Sequence, residues 1–295
     1  MSAADAADTV LAAPAVVDAH HHVWDLTVRD QSWITGPELA PLRRSFGVAE
    51  LEGEAAAAGV GASVLVQTVT VAEETPEFLA LAAGSGLVAA VVGWTELTDP
   101  AVAEVLAALG EGPGGAALRG IRHQVQDEPD PRWLCRDDVA RGLRAVQAAG
   151  LVYDLVLRSH QLPAAVEAAA AHPGLTFVLD HLGKPPVAAG ELEPWAGRVR
   201  ALAALPNTVA KLSGLVTEAD WQHGWQPEQL RPYADTVLEA FGPDRLMFGS
   251  DWPVCTLAAS YGEVLDTARV LTDGLSADEQ AAVLGGTASR VYRLR

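Results

Sequence analysis

The chain has 295 residues, of which 49% are hydrophobic, and its formal net charge at pH 7 is −18. This length suits a single α/β barrel, which typically takes about 250 residues, and the apolar content is ample for a large core. The negative charge would repel nucleic acid and anionic membrane surfaces, so we expect neither as a partner.

Cysteine content and the amino-terminal segment favour a cytoplasmic protein. Cys135 and Cys255 are the only cysteines, too few for a disulfide framework in a chain of this length. Residues 1–15 are rich in alanine and contain no Lys or Arg, so they lack the basic start of a secretory signal. No apolar run approaches the roughly 18 residues of a membrane span. We expect residues 1–15 to be a flexible lead-in and residues 16–295 to form the folded domain.

In chain order, short apolar runs rich in β-branched residues alternate eight times with stretches rich in alanine and leucine. The runs predict strands at Val16–Ala19, Ala62–Gln67, Val88–Gly93, Leu118–His123, Val152–Leu157, Thr176–Asp180, Thr208–Leu212 and Leu246–Gly249. The stretches predict helices at Ala49–Ala58, Pro76–Ala83, Ala101–Leu109, Asp137–Ala149, Leu162–Ala171, Pro194–Ala204, Pro227–Phe241 and Ser260–Thr272. Strands that are apolar throughout indicate a parallel sheet covered on both faces. Eight such units predict a single-domain (β/α)8 TIM barrel, and an open doubly wound sheet is the alternative that the pattern leaves.

Three longer connections and a carboxyl-terminal segment complete the pattern. Much of the Trp and Pro content lies in the connections Leu26–Phe46, Gln124–Arg136 and Val216–Gln226, which we place on one rim of the barrel. The segment Ala277–Arg290 predicts one or two closing helices.

A run of three histidines follows the first predicted strand. In an extended segment residues i and i+2 share a face, so His20 and His22 project together while His21 points away. Two converging imidazoles can bind a divalent metal, or can hold a substrate oxyanion without one. A histidine run can also be a solvated turn, but Val16 and Val17 place this one at the end of a strand.

The sixth and eighth predicted strands also end in polar side chains. His181 follows the sixth strand, where a satisfied core histidine is the alternative interpretation, and Asp251 follows the eighth, after Gly249-Ser250 and before Trp252. A carboxylate at this position can accept a proton from water or ligate a metal. Because barrel enzymes keep their sites at the carboxyl ends of the strands, we expect His20, His22, His181 and Asp251 to meet at one rim.

Basic side chains near the same rim are candidates for stabilising or orienting a substrate. Arg122 and His123 end the fourth predicted strand, and we assign them to polarising a carbonyl group. Arg158 follows the fifth strand and Lys211 lies near the end of the seventh, and we assign both to substrate binding. Inside a barrel, however, Lys211 can equally pair with an acidic neighbour.

Aromatic residues offer a second kind of contact. The rings of Trp24 and Trp252, which follow the first and eighth strands, can pack against the C–H faces of a sugar. Ordinary packing at the rim is the alternative for tryptophans in such positions.

The ordered set of strand-end motifs resembles the amidohydrolase superfamily, in the branch of metal-dependent or metal-independent lactonases that includes fuconolactonase-like and pyrone-dicarboxylate lactonase-like enzymes. The resemblance covers nearly the whole chain. It implies a catalytic shell of His20, His22, His181 and Asp251, in which Asp251 activates water. The residues that carry it are Asp18-Ala19-His20-His21-His22-Val23-Trp24, Gly120-Ile121-Arg122-His123-Gln124, Leu179-Asp180-His181-Leu182-Gly183-Lys184-Pro185, Lys211-Leu212-Ser213-Gly214 and Phe248-Gly249-Ser250-Asp251-Trp252-Pro253.

The chain departs from the fuller metal pattern of that superfamily at two strand ends. A bridging Lys or Glu is expected after the fourth strand, where this chain has Arg122-His123, and a histidine after the fifth, where His160 comes two residues late. We therefore expect no two-metal centre. The cofactor prediction is one divalent ion, zinc, on His20, His22 and Asp251, and a metal-independent site is the alternative.

These observations predict a hydrolase that opens a small sugar-acid lactone, similar to fuconolactone or rhamnonolactone, by attack of water activated by Asp251. A small, polar and neutral substrate suits a local basic pocket within an acidic protein. The alternatives are a metal-dependent decarboxylase of a small aromatic acid and a non-catalytic sugar-binding barrel. The sequence leaves a homo-oligomer open.

Overall fold

Eight parallel strands form one sheet, in which each strand pairs with the next along the chain. The computed structural model describes residues 16–294, so the predicted lead-in of residues 1–15 lies outside the described residues. The strands are β1 (Val17–His21), β2 (Ala62–Val66), β3 (Val88–Gly93), β4 (Leu118–His123), β5 (Val152–Leu155), β6 (Phe177–Leu179), β7 (Thr208–Leu212) and β8 (Leu246–Phe248).

Helices follow the strands and cover the outside of the sheet. They are α1 (Val48–Ala58), α2 (Glu74–Gly84), α3 (Val102–Glu111), α4 (Asp137–Ala148), α5 (Leu162–Ala171), α6 (Trp195–Ala203), α7 (Leu215–Glu218), α8 (Pro227–Phe241), α9 (Tyr261–Leu271), α10 (Ala277–Ala281) and α11 (Thr287–Val291). Local sequence sets several boundaries. The Ser260 side chain accepts a hydrogen bond from the Glu263 backbone and so caps α9, while Gly59 ends α1 with a φ of 75°.

The sheet closes between its first and last strands. The backbone N–H of Asp251 donates to the carbonyl of His20 (2.8 Å), and that of His22 donates to the carbonyl of Trp252 (2.7 Å). Gly249 permits this approach, since a Cβ atom there would lie 2.7 Å from the Cβ of His20. The closure therefore brings the residues that follow β8 against the histidines of β1.

The barrel interior has an apolar lower layer and a charged upper layer. The lower layer combines strand residues such as Val17, Val178 and Met247 with Val291 and Tyr292 from the carboxyl-terminal segment. Above it lie buried charged side chains, among them Arg122, Asp154, Asp180 and Lys211. Burying charged groups is costly unless they are paired, so this second layer indicates a site built on top of the apolar core.

The predicted fold is confirmed: the chain forms a single-domain (β/α)8 barrel with all eight strands and the eight main helices at the predicted places. The differences lie at element ends. The first strand continues to His21 instead of ending at Ala19, while the sixth ends at Leu179 because Asp180 begins a tight turn. Within residues 16–294, no helix is long and apolar enough to cross a membrane.

Candidate active site at the carboxyl ends of the strands

The histidine run of β1 lies on an irregular stretch of strand. The pairing register between β1 and β2 shifts between Asp18 and His21, and His20 and His22 face the same side. Their Nε2 atoms lie 3.2 Å apart, as the period-two argument predicts. His21 is completely buried, and neither of its ring nitrogens has a hydrogen-bond partner among the described residues. His21 therefore does not contribute to the convergent group.

Asp251 is held by backbone contacts in a conformation that non-glycine residues rarely adopt. Its φ is 59°, in the left-handed region. The hydrogen bond to the His20 carbonyl fixes the Asp251 amide. The preceding residue, Ser250, is also fixed, because its hydroxyl donates to Asp18 Oδ2 over 2.6 Å. Strain of this kind persists where surrounding contacts determine the backbone, and it is common at functional sites.

His181 reaches the same place from a left-handed turn after β6. Its φ is 52°, and its Nδ1 atom shares a hydrogen bond of 3.0 Å with the Ser213 hydroxyl. The ring packs directly against Gly214, where a Cβ atom would lie 2.6 Å from His181 Nδ1. Glycine at position 214 therefore makes room for the imidazole.

The ligating atoms of these elements converge. The Oδ1 atom of Asp251 lies 3.5 Å from His22 Nε2 and 3.8 Å from His20 Nε2. It also lies 3.9 Å from His181 Nε2. Three imidazole nitrogens thus surround one carboxylate oxygen, and all four side chains are at least nine-tenths buried.

Burial and neighbouring charge set the protonation of this group. Burial lowers the pKa of His181 to about 4 and the pKa of His20 well below its ordinary value, so both rings are neutral near pH 7. Burial alone would raise the pKa of the Asp251 carboxyl, but His181, His22 and Lys184 outweigh it and lower that pKa. The site therefore combines neutral imidazoles with an ionised carboxylate.

This donor set fits a divalent metal. One donor atom each from His20, His181 and Asp251 lies within 4.8 Å of the others. Four ligands in a tetrahedron around zinc lie about 3.4 Å apart, which matches the separations in this site. His22 Nδ1 donates to the Val66 carbonyl (2.8 Å), which leaves the Nε2 lone pair directed at the shared space.

His20 can take either of two hydrogen-bonding arrangements. Its Nδ1 atom lies 3.3 Å from Asp180 Oδ1 and 3.1 Å from Lys211 Nζ. If Nδ1 donates to Asp180, the Nε2 lone pair faces the one on His22, an arrangement that a cation stabilises. If Nδ1 accepts from Lys211, Nε2 carries the proton and can donate to His22 without a metal, but it then cannot accept from Arg122 Nη1, which lies 3.3 Å away. Both alternatives from the sequence therefore have a structural counterpart.

A paired charge network lies directly beneath this site. Lys211 Nζ lies 2.6 Å from Asp154 Oδ2 and 3.0 Å from Asp180 Oδ1, and all three side chains are fully enclosed. Arg122 donates to Asp180 Oδ2 over 3.0 Å and to the side-chain oxygen of Gln67. Burial alone would raise the pKa of Asp180, but Lys211, His20 and Arg122 hold it well below its ordinary value.

A cavity of about 270 Å³ opens above the four converging side chains. His22, His181, Asp251 and Arg122 form part of its wall. The rest is lined by Trp33, Thr68, Gln124, Gln126, Asp127, Val156, Arg158, Lys184 and Val254. A larger groove of about 680 Å³ lies between the connection after β1 and α2, but it contains none of the converging residues.

Two predicted catalytic side chains have different surroundings. Arg122 lines the cavity, but each of its three guanidinium nitrogens contacts Gln67, Asp180 or His20. His123 does not line it. The Trp94 indole donates to its Nδ1 (3.1 Å), its Nε2 contacts Glu128 (2.7 Å), and its ring stacks on Trp133. This arrangement leaves His123 no free nitrogen for a substrate carbonyl.

Of the predicted substrate-binding residues, one lines the cavity and three do not. Arg158 lines the cavity at its exposed side. Lys211 lies in the network below, which matches the pairing alternative and puts it out of reach of a substrate. Trp24 donates to the Arg44 carbonyl, and both it and Trp252 pack against Phe46 outside the cavity. These rings make the ordinary rim packing that was the alternative interpretation.

Several residues in the cavity wall were not singled out from the sequence. Trp33 takes the place expected for Trp24, and it lies in the first long connection, whose tryptophan content was the available signal. Gln124 directly follows β4 and Lys184 comes three residues after His181; both belong to the strand-end motifs, but neither was given a role. His160, whose position after the fifth strand was noted, lies exposed in a short turn and does not line the cavity.

Comparison with known proteins shows where this site belongs. A family model described as amidohydrolase matches residues 17–294. The chain belongs to the amidohydrolase family. This amidohydrolase is 44% identical to an L-fucono-1,5-lactonase of Burkholderia multivorans, over 94% of this chain and 96% of the relative. It is 38% identical to an L-fucono-1,5-lactonase of Burkholderia ambifaria, over 94% and 95% of the two chains.

A solved structure extends the comparison to three dimensions. A Burkholderia multivorans amidohydrolase, crystallised with bound zinc, superimposes on this amidohydrolase with a TM-score of 0.89 and 44% identity. The match covers 95% of this chain and 99% of that chain. The resemblance inferred from the strand-end motifs is thereby confirmed.

Proposed function

We propose that this amidohydrolase opens the ring of a sugar-acid lactone, with L-fucono-1,5-lactone as the first candidate substrate. The observation that carries the proposal is the convergence of three imidazole Nε2 atoms on the Asp251 carboxylate in a small polar cavity. The relatives named L-fucono-1,5-lactonase, at 44% and 38% identity, give the lactone class.

Asp251 suits the role of general base. Its lowered pKa keeps the carboxylate ionised near neutral pH, so it can accept a proton from a water molecule in the cavity. The left-handed backbone at this residue and the hydrogen bond to the His20 carbonyl fix the direction of the carboxylate. The same carboxyl can later return the proton to the ring oxygen as the lactone opens.

His20, His22, His181 and Asp251 are the residues that would hold one divalent ion, for which zinc is our proposal. Such an ion supplies polarisation of a carbonyl oxygen and lowers the pKa of water when it is bound. His181 extends the three-residue set predicted from the sequence. Its Nδ1 contact with Ser213, like the Nδ1 contact of His22 with Val66, orients the ring so that Nε2 faces the shared space.

The cavity suits a small hydroxylated molecule. Its volume of about 270 Å³ admits a six-carbon lactone, and Gln124, Gln126, Asp127 and Arg158 offer hydrogen-bond donors and acceptors for hydroxyl groups. Trp33 and Val156 supply apolar surface on the same wall. A neutral lactone also avoids repulsion by the net charge of −18.

A pH-indicator screen of sugar-acid lactones tests this function, because each ring opening releases one proton at neutral pH. We expect rapid turnover of L-fucono-1,5-lactone and slower turnover of lactones with other stereochemistry. Elemental analysis of the same preparation reports the metal. Carbon dioxide release from hydroxybenzoates without lactone turnover would instead support the decarboxylase alternative. Binding without any turnover, unchanged in Asp251→Asn, would support the sugar-binding alternative.

A further inference from the structure

The turn that carries His181 also carries a lysine into the cavity. His181, Leu182 and Lys184 each have a φ of 52°, and Gly183 between them has a φ of 72°. Four successive residues therefore form a left-handed turn, in which three non-glycine residues occupy an uncommon and strained region. With about three residues per turn, the side chains of His181 and Lys184 lie on the same side. Both line the cavity.

Specific contacts hold this strained turn. The Lys184 amide donates to the His181 carbonyl over 2.8 Å, and the Trp195 indole donates to the Leu182 carbonyl over 2.8 Å. The Leu182 side chain is fully buried. These contacts fix the direction of residues 181 and 184 together, which a relaxed loop would not do.

The charge of Lys184 has no direct partner in the protein. Within residues 16–294 its ammonium group makes no hydrogen bond or ion pair, although it is partly buried. It still acts at longer range, since its charge helps to lower the pKa of Asp251 and opposes the burial that raises the pKa of Glu218. A half-buried cation without a partner has lost hydration that an anionic group in the cavity would restore.

Two other cations near the cavity are engaged elsewhere, and a third lies at its exposed side. Arg122 donates to Asp180 and Gln67, and Lys211 is enclosed between Asp154 and Asp180. Arg158 is exposed and contacts the Gln126 carbonyl. Lys184 is therefore the cation beside Asp251 that is free to meet a reacting group.

The proposed hydrolysis creates negative charge at one oxygen. A water lone pair bonds to the lactone carbonyl carbon, the π electrons move to the carbonyl oxygen, and Asp251 takes a water proton. The carbonyl then reforms, the bond to the ring oxygen breaks with its electrons leaving on that oxygen, and Asp251 returns the proton to it. The resulting carboxylic acid loses its proton to solvent, so the product is a hydroxy carboxylate.

Building on the proposed function, we propose that Lys184 is a further catalytic residue: its ammonium group donates a hydrogen bond to the carbonyl oxygen that becomes negative and then holds the product carboxylate. A donor placed where charge develops contributes more in a water-poor cavity than in solvent. Lys184 and Asp251 line the same cavity, so a carbonyl group bound there can meet both side chains.

Replacement of the lysine gives the first test. Lys184→Met should lower kcat/KM for L-fucono-1,5-lactone by about 10²–10³-fold, the loss typical for one oxyanion donor, and Lys184→Arg should recover part of it. In competition assays the open-chain acid L-fuconate should bind Lys184→Met at least about tenfold more weakly, since its charge partner is gone. The neutral alditol L-fucitol should bind equally to both. Arg200→Met, an exposed cation on α6, is the matched control.

Amine labelling gives a test that does not need turnover. The chain has only two lysines, and Lys211 is completely buried, so reductive methylation should modify Lys184 and leave Lys211 unmodified. Saturating L-fuconate should protect Lys184 in peptide mass spectrometry, whereas L-fucitol should not.

The outcomes separate the two proposals. Wild-type turnover of the lactone, with Lys184→Met equal to wild type and no protection by L-fuconate, overturns the role of Lys184 alone. Absence of lactone turnover in the wild type overturns the proposed function. Protection by L-fucitol as well as L-fuconate would show that Lys184 does not distinguish a carboxylate ligand from a neutral one, and that result contradicts the inference.

Discussion

The two sides of the barrel rim present histidines with opposite surroundings. His181 after β6 and His123 at the end of β4 are 6% and 8% exposed, so burial does not distinguish them. His123 has both ring nitrogens engaged by Trp94 and Glu128, while His181 uses only Nδ1 and leaves Nε2 facing Asp251. A position at a strand end therefore does not make a histidine catalytic. What distinguishes the two histidines is whether a ring nitrogen is free and which side chain that nitrogen faces.

The same contrast separates the upper layer of the site from the network beneath it. Around Asp251 the ligating atoms point into shared space, whereas Lys211 below is surrounded by the carboxylates that it neutralises. Groups in the first set should govern turnover, and groups in the second should govern stability. The following variants test that division, from the largest expected effect to the smallest.

Asp251→Asn should reduce kcat for lactone opening by about 10²–10⁴-fold, the range for loss of a general base. The amide retains the size of the side chain, so the thermal midpoint should change little. Steady-state kinetics and circular dichroism on the same preparation measure both quantities. Near-normal kcat would refute the role of Asp251.

Lys211→Met should reduce the free energy of unfolding by about 3–5 kcal/mol, because it leaves Asp154 and Asp180 buried without their shared cation. Tyr292→Phe is the matched milder variant. It removes one hydrogen bond of 2.8 Å to Asp154, and its loss should be about 2 kcal/mol. Urea denaturation measures the free energy of unfolding of both variants. An equal or larger loss in Tyr292→Phe would show that the ion pairs of Lys211 do not stabilise the barrel.

His22→Ala should lower the divalent metal content of the purified protein to a small fraction of the wild-type value, if the wild type contains metal. The reason is the loss of an Nε2 atom 3.5 Å from the Asp251 carboxylate. His172→Ala, a histidine remote from the cavity, should leave the content unchanged. Elemental analysis measures both variants. Full metal content in His22→Ala would place the ion elsewhere.

His123→Gln should have the smallest effect, with kcat and KM both within about tenfold of wild type, since His123 does not line the cavity. A loss of kcat comparable to that of Asp251→Asn would mean that the β4 histidine acts in the reaction after all. Stopped-flow indicator assays resolve this range.

The sequence was sufficient for features that depend on local pattern. The eight apolar runs gave the barrel, and their ends located His20, His22, His181 and Asp251, because parallel strands in a barrel end at one rim. The family predicted from these motifs is confirmed by the match over residues 17–294. The roles of individual site residues stay predictions.

The contacts of individual side chains were harder to predict from the sequence. Whether Trp24 or Trp33 lines the cavity depends on how the long first connection folds back, which no local pattern determines. The left-handed turn at Lys184 and the occupied nitrogens of His123 likewise depend on distant partners, such as Trp195 and Trp94. Sequence position located these groups at the rim but did not reveal which atoms were free.

The most direct test of the account is a crystal structure of Asp251→Asn soaked with L-fucono-1,5-lactone. We predict that the lactone occupies the cavity of about 270 Å³, with its carbonyl carbon facing residue 251 and the imidazoles of His22 and His181. A lactone bound instead in the groove beside Val28 and Leu81, or with its carbonyl directed away from residue 251, would contradict the account.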